Sequence, residues 1–102
     1  MVAIMIINQS IDRTPFYYEK AIITSSEVSR LNQSYREDSN AIFITVEDES
    51  IRYRIEGGDP DSDDGHLVLA GNNIYIADQK SIRNLRMISI GGDATVIITY
   101  YR

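Results

Sequence analysis

The residues of this chain that could do chemistry are few and sit close together. His66 is the single histidine, and the run Asp59-Pro60-Asp61-Ser62-Asp63-Asp64-Gly65 stands directly ahead of it. Imidazole is the one side chain whose unperturbed titration falls near neutral pH, which suits it to proton transfer or metal ligation. Alternating carboxylates at Asp59, Asp61 and Asp63 open in the manner of a calcium loop, whose oxygens must converge on one hard ion. The remainder departs from that pattern. Asp64 stands where the sharp-turn glycine belongs, Gly65 comes one residue late, and Ala70 replaces the bidentate glutamate. The acidic run therefore reads as a solvated turn between strands, with a weak cation site on Asp59, Asp61 and Asp63 as the other reading. His66 reads as a structural ring at the start of a strand, bonded to loop backbone.

Catalytic constellations are equally thin. A histidine-based hydrolase needs a nucleophile and an orienting carboxylate around the ring, and no Gly-x-Ser-x-Gly elbow occurs. Glycoside hydrolysis needs two carboxylates facing each other across a cleft. Glu47, Glu49 and Glu56 are the acids for that role, but the chain has no tryptophan for sugar stacking. The glycine pairs Gly57-Gly58 and Gly91-Gly92 fall in turns, and neither opens a helix as a phosphate loop does. With no cysteine, disulfides and thiolate chemistry are excluded. The expectation is a protein that is not an enzyme and carries no cofactor.

The elements that would position these residues are strands. Residues 51–56 alternate Ile51, Tyr53 and Ile55 against Arg52, Arg54 and Glu56, as a half-buried strand requires. Residues 41–47 place Ile42, Ile44 and Val46 on one face and Phe43 and Thr45 on the other, and Asp48-Glu49-Ser50 would join the two strands as a hairpin. Residues 16–24 are rich in aromatic and β-branched types, and 67–69 and 73–77 are short strands around Ala70-Gly71-Asn72. Residues 81–90 begin with a turn and then set Leu85 and Met87 against Ile88 and Ile90. Gly91-Gly92-Asp93 signals a tight turn with positive φ. The last strand, 94–102, alternates Val96, Ile98 and Tyr100 against Thr95, Ile97, Thr99 and Tyr101. For 25–40 a short helical turn capped by Ser25 or Ser26 and a long polar loop stand as equal readings. About seven to eight short strands at this spacing predict an all-β fold, a compact antiparallel β-sandwich or jelly roll.

At 102 residues the chain is one domain, 1–102, able to bury about 65% of its unfolded surface. Residues 1–15 contain a possible N-terminal strand or contact arm, because residues 1–7 are apolar without alternation. That run is too short to span a membrane and has no basic start of a secretion signal. A net charge of −5 speaks against a nucleic-acid partner held through phosphates. Eight of the ten basic residues are arginine, the cation favoured at interfaces. Seven tyrosines include the neighbours Tyr17-Tyr18 and Tyr100-Tyr101. In a strand one ring of each pair faces outward, to cover a sheet edge or to meet a partner.

The second half carries a resemblance. Ile-Arg-Tyr-Arg-Ile-Glu-Gly (51–57), a proline-containing loop, Gly65-His66, Ala70-Gly71-Asn72, residues 82–90, Gly91-Gly92 and the terminal Val-Ile-Ile-Thr-Tyr-Tyr-Arg (96–102) follow in that order. This pattern resembles small virion structural proteins of tailed bacteriophages, closest to capsid decoration or cement proteins. The acidic loop departs from the Thr- and Ala-rich version of the pattern. The resemblance implies a homotrimer on the capsid surface, made in the host cytoplasm, whose partner is the major capsid protein shell. The contact residues it would use are Met1, Val2, Ile4, Phe16, Tyr17, Tyr18 and Tyr101. The alternative is a small β-sandwich binding module for carbohydrate or peptide, such as a tail or receptor-binding component. A metal-dependent hydrolase on His66 and its aspartates ranks third.

Overall fold

The computed structural model describes residues 13–102. The expected N-terminal contact residues Met1, Val2 and Ile4 lie outside the described residues. The strands are β1 (Pro15–Ile23), β2 (Ser29–Arg30), β3 (Ala41–Val46), β4 (Ile51–Arg54), β5 (His66–Val68), β6 (Asn73–Ile76), β7 (Arg86–Ser89) and β8 (Ala94–Tyr101). Among the described residues two short helices join them, α1 (Gln33–Arg36) and α2 (Gln79–Asn84). Sheet A has the order β1-β8-β3-β6 and sheet B the order β2-β7-β4-β5. Every pairing is antiparallel. The first strand pairs with the last, the second with the seventh, the third with the sixth and the fourth with the fifth. That rolled-up connectivity is a jelly roll, the double-sheet form of the expected all-β sandwich.

Alternation explains the layering. On β8, Ala94, Val96, Ile98 and Tyr100 are buried, and on β3 Ile42, Ile44 and Val46. Sheet B answers with Ile51, Val68 and Met87, while Leu31, Ile82 and Leu85 close the ends. Each such aliphatic side chain contributes about 1.5–3 kcal/mol on burial, so this interior is the source of the fold's stability.

Four local expectations need correction. The hairpin joining 41–47 to 51–56 does not form, because β3 pairs with β6 and β8 while β4 pairs with β5 and β7. The connection crosses between sheets instead. The Asp48 carboxylate accepts from the Thr95 backbone N–H at 2.8 Å and its hydroxyl at 3.1 Å, and Glu49 accepts from the Gly92 N–H at 3.3 Å. Those contacts tie the corner to the start of β8. Within 25–40 the helix is α1, capped by Asn32, whose Oδ1 accepts from the Ser34 N–H at 2.9 Å. Neither Ser25 nor Ser26 caps it, and Ser29–Arg30 forms a strand on β7.

The start of 81–90 is part of α2, with Asp78 as its cap and Ile82 buried. Its register shows only in Ile82 and Leu85, too short a run for helical periodicity to declare itself. Finally, positive φ occurs at Gly57, Gly65 and Gly71 and not at Gly91 or Gly92. A Cβ on Gly91 would lie 2.9 Å from Glu49 Oε2, so that glycine admits a close neighbour and does not supply a left-handed turn.

Candidate interaction surfaces

The two outer faces of the sandwich differ in chemistry. On sheet A the outward positions are Tyr18, Lys20 and Ile22 of β1, Thr95, Ile97, Thr99 and Tyr101 of β8, Phe43 and Thr45 of β3, and Asn73 and Tyr75 of β6. The register aligns them in rows: Tyr18, Thr99, Phe43 and Tyr75 lie side by side, as do Lys20, Ile97, Thr45 and Asn73. Tyr18 is 61% and Ile22 53% exposed, while Phe43, Tyr75, Ile97 and Tyr101 are half-buried. Among these strand positions Lys20 is the one charged side chain. The solvated face of an antiparallel sheet is ordinarily polar, so a run of aromatic and aliphatic side chains separated by threonine makes this face the candidate contact surface. Arg13 reaches this face, its Nη1 donating to the Tyr75 hydroxyl at 3.0 Å. The Tyr101 hydroxyl is pushed above its ordinary pKa, first by burial and then by the nearby Tyr75.

Of the contact residues expected from sequence, Tyr18 and Tyr101 lie on this face. Phe16 and Tyr17 do not. A register shift between Pro15 and Tyr17 sets Tyr17 opposite Tyr100. The Tyr17 ring stacks on Tyr35 with centroids 3.7 Å apart, and both lie near the buried Tyr100, at 6.1 and 5.5 Å. Phe16 packs 6.3 Å from Tyr100, beneath the Arg102 guanidinium at 3.9 Å. These rings close one end of the core. The Tyr100 hydroxyl donates to Glu19 and is held well above its ordinary pKa, first by burial and then by that carboxylate. Ile22, Phe43, Tyr75 and Ile97 were absent from the sequence-level contact set. Alternation separates the two faces of β3 and β8, but both faces carry large apolar residues, so it does not say which one looks outward.

Sheet B presents arginine. Arg30 and Arg54 both lie opposite Arg86, so three guanidinium groups share one cross-strand row. Like charges placed directly opposite are destabilising, and the acidic loop offsets them. Arg86 Nη1 lies 2.8 Å from Asp59 Oδ1, and Arg54 Nη1 lies 3.6 Å from Asp64 Oδ2. Arg54 also forks onto Glu56, with Nε to Oε1 at 3.2 Å and Nη2 to Oε2 at 2.5 Å. This contact raises the arginine's pKa and lowers the glutamate's. Arg52 donates to the backbone carbonyls of Ser62 at 3.0 Å and Gly65 at 2.9 Å.

This arrangement separates the three aspartates of the cation-site reading. Asp59 faces Arg86, while Asp61 Oδ1 accepts from the Asp63 N–H at 2.8 Å. Among the described residues no group of three or more His, Asp or Glu side chains is placed to hold a metal ion. The glutamates of the glycosidase reading are engaged separately. Glu47 accepts from the Thr45 hydroxyl at 2.8 Å, Glu49 accepts from Gly92, and Glu56 faces Arg54. His66 is exposed at the start of β5 with its ring 5.2 Å from that of Tyr53. No described residue gives its ring the expected bond to loop backbone. Comparison of the chain with protein-family profiles, curated proteins and solved structures found no match.

Proposed function

We propose that this chain is a non-enzymatic structural protein of a tailed-bacteriophage virion, a decoration or cement protein that binds and stabilises the shell of the major capsid protein. The observation that carries this reading is the outer face of sheet A. It presents Tyr18, Ile22, Phe43, Tyr75, Ile97 and Tyr101, with Lys20 the one charged residue among these strand positions and Arg13 reaching in at Tyr75. Aromatic side chains in a sparsely charged centre are the composition of interface cores. Met1, Val2 and Ile4 are proposed as further contacts.

Such a role asks for no reaction, only a rigid scaffold and a complementary face. The jelly-roll core supplies rigidity, and the strands of sheet A hold the contact side chains in fixed register. Assembly as a trimer lets modest contacts act together, since the second and third engage at high effective concentration. The net charge of −5 keeps the remaining surface soluble and turns it away from nucleic acid.

The test is co-sedimentation of the purified chain with expanded shells of the major capsid protein encoded in the same genome. Saturable binding that raises the shells' melting temperature is expected. A chain left in the supernatant at every concentration overturns the proposal.

A further inference from the structure

We propose that the cleft between β5 and β6 is a binding site for a neutral saccharide. Among the described residues these two strands end their sheets on the same side of the roll, β5 paired with β4 and β6 with β3. Between them is a cleft of about 380 Å³ lined by Tyr53, His66, Leu67, Val68, Asn72, Asn73 and Ile74. That volume stands at the small end of ligand pockets, which run from about 300 to 1,000 Å³.

The lining combines unspent polar capacity with two rings. Among the described residues, the side chains of Tyr53, His66, Asn72 and Asn73 make no hydrogen bond within the chain. Each type offers both donor and acceptor atoms, and a sugar hydroxyl needs both at once. Val68 and Ile74 are buried at its floor, and the Tyr53 and His66 rings stand over them. The C–H face of a pyranose would lie against those two rings.

Charge decides against ionic ligands. No carboxylate, lysine or arginine lines the cleft. The arginines of β4 are engaged elsewhere, Arg52 on the carbonyls of Ser62 and Gly65 and Arg54 on Glu56 and Asp64. The site thus matches an uncharged polyhydroxylated ring better than a phosphate, a carboxylate or a cation. On a virion such a site would hold the particle against glycan-coated surfaces. It shares only Asn73 with the outward positions of sheet A and stands or falls independently of shell binding.

The experiment uses the full ¹⁵N-labelled chain titrated with methyl α-glucoside, methyl β-galactoside, N-acetylglucosamine and their short oligomers. At least one sugar is expected to give saturable shifts confined to residues 53, 66–68 and 72–74, with a dissociation constant on the order of 1–10 mM. Asn72→Ala, on the exposed turn, and Tyr53→Phe, which keeps the ring, are each expected to weaken binding about tenfold with melting unchanged. The proposal is overturned by any of three results: no shifts from any sugar, shifts elsewhere on the molecule, or unchanged affinity in the two folded variants. An extended peptide that moves these resonances where sugars do not would equally overturn it.

Discussion

Asp59 of the loop after β4 meets Arg86 of β7, its Oδ1 2.8 Å from the arginine Nη1. The contact ties the acidic run to the row formed by Arg30, Arg86 and Arg54 on the outside of sheet B. What looks in the sequence like a ligand loop is in the fold a counter-charge for Arg86 and Arg54.

Asp59→Asn should therefore destabilise the domain although the pair is partly exposed. An exposed pair is worth about 0.2–1 kcal/mol, and here its loss also leaves the arginine row less compensated. The expected outcome is a fall in Tm of about 2–8 °C, shrinking as salt is raised toward about 1 M, where screening is nearly complete. Thermal melts at low and high salt check it. An unchanged Tm at low salt would mean that the loop does not hold the row.

Much of this fold was legible in the sequence. Alternation in 41–47, 51–56 and 94–102 located three strands and grouped Ile42, Ile44 and Val46, and Val96, Ile98 and Tyr100, each on one face, since period two is a local property; burial makes those faces the inward ones. Partnership was not legible. Asp48-Glu49-Ser50 has the length of a hairpin connection, and it is bonds to residues about forty or more positions away, of Asp48 and Glu49 to Thr95 and Gly92 and of Glu47 and Ser50 to Thr95 and Ile90, that hold the chain as it crosses to the other sheet. The candidate face was half legible for a related reason. Tyr18 and Tyr101 were marked by type, whereas Phe43 and Ile97 look like core until the position of the second sheet is known. The charge of the acidic loop was plain, but its partners Arg54 and Arg86 belong to strands whose pairing no local signal records.

Acid should weaken the fold through three carboxylates. Asp48 is held below its ordinary pKa, first by the Thr95 backbone N–H, Glu56 first by the Arg54 guanidinium, and Asp78 first by the Ser81 hydroxyl. Groups with lowered folded pKa values stabilise above their unfolded values, and that contribution is lost as pH falls through the folded ones. Tm should hold steady from pH 7 to about 5 and decline below about pH 4. Asp48→Asn should make the decline shallower. A Tm that rose on acidification would contradict the assignment.

Alkali should act through Tyr100. Its hydroxyl is raised by burial and by Glu19, so the folded state resists an ionisation that the unfolded chain undergoes near pH 10. The stabilisation is complete below that value and is lost progressively as pH rises above it. Tyr100→Phe should cost about 1–2 kcal/mol near neutral pH through the lost bond to Glu19. The same change should reduce the fall in Tm between about pH 9 and 11. An equally steep alkaline fall in the variant would point to other tyrosines.

Deleting residues 98–102 should abolish cooperative folding. β8 lies between β1 and β3 in sheet A, and Ile98 and Tyr100 are fully buried. The deletion removes their interior contacts and the pairing of both neighbours. Calorimetry of the truncated chain should show no transition; a sharp one would contradict the placement of β8 at the centre of its sheet.

The outer face of sheet A is tested most directly by shell binding of the paired variants Ile22→Asp and Leu69→Asp. Both residues are 53% exposed, Ile22 on the proposed contact face and Leu69 beside the opposite cleft. With both variants melting near the parent temperature, Ile22→Asp should weaken sedimentation with capsid shells at least about tenfold, and Leu69→Asp should leave it unchanged. Equal binding by Ile22→Asp and the parent chain would contradict the assignment of that face.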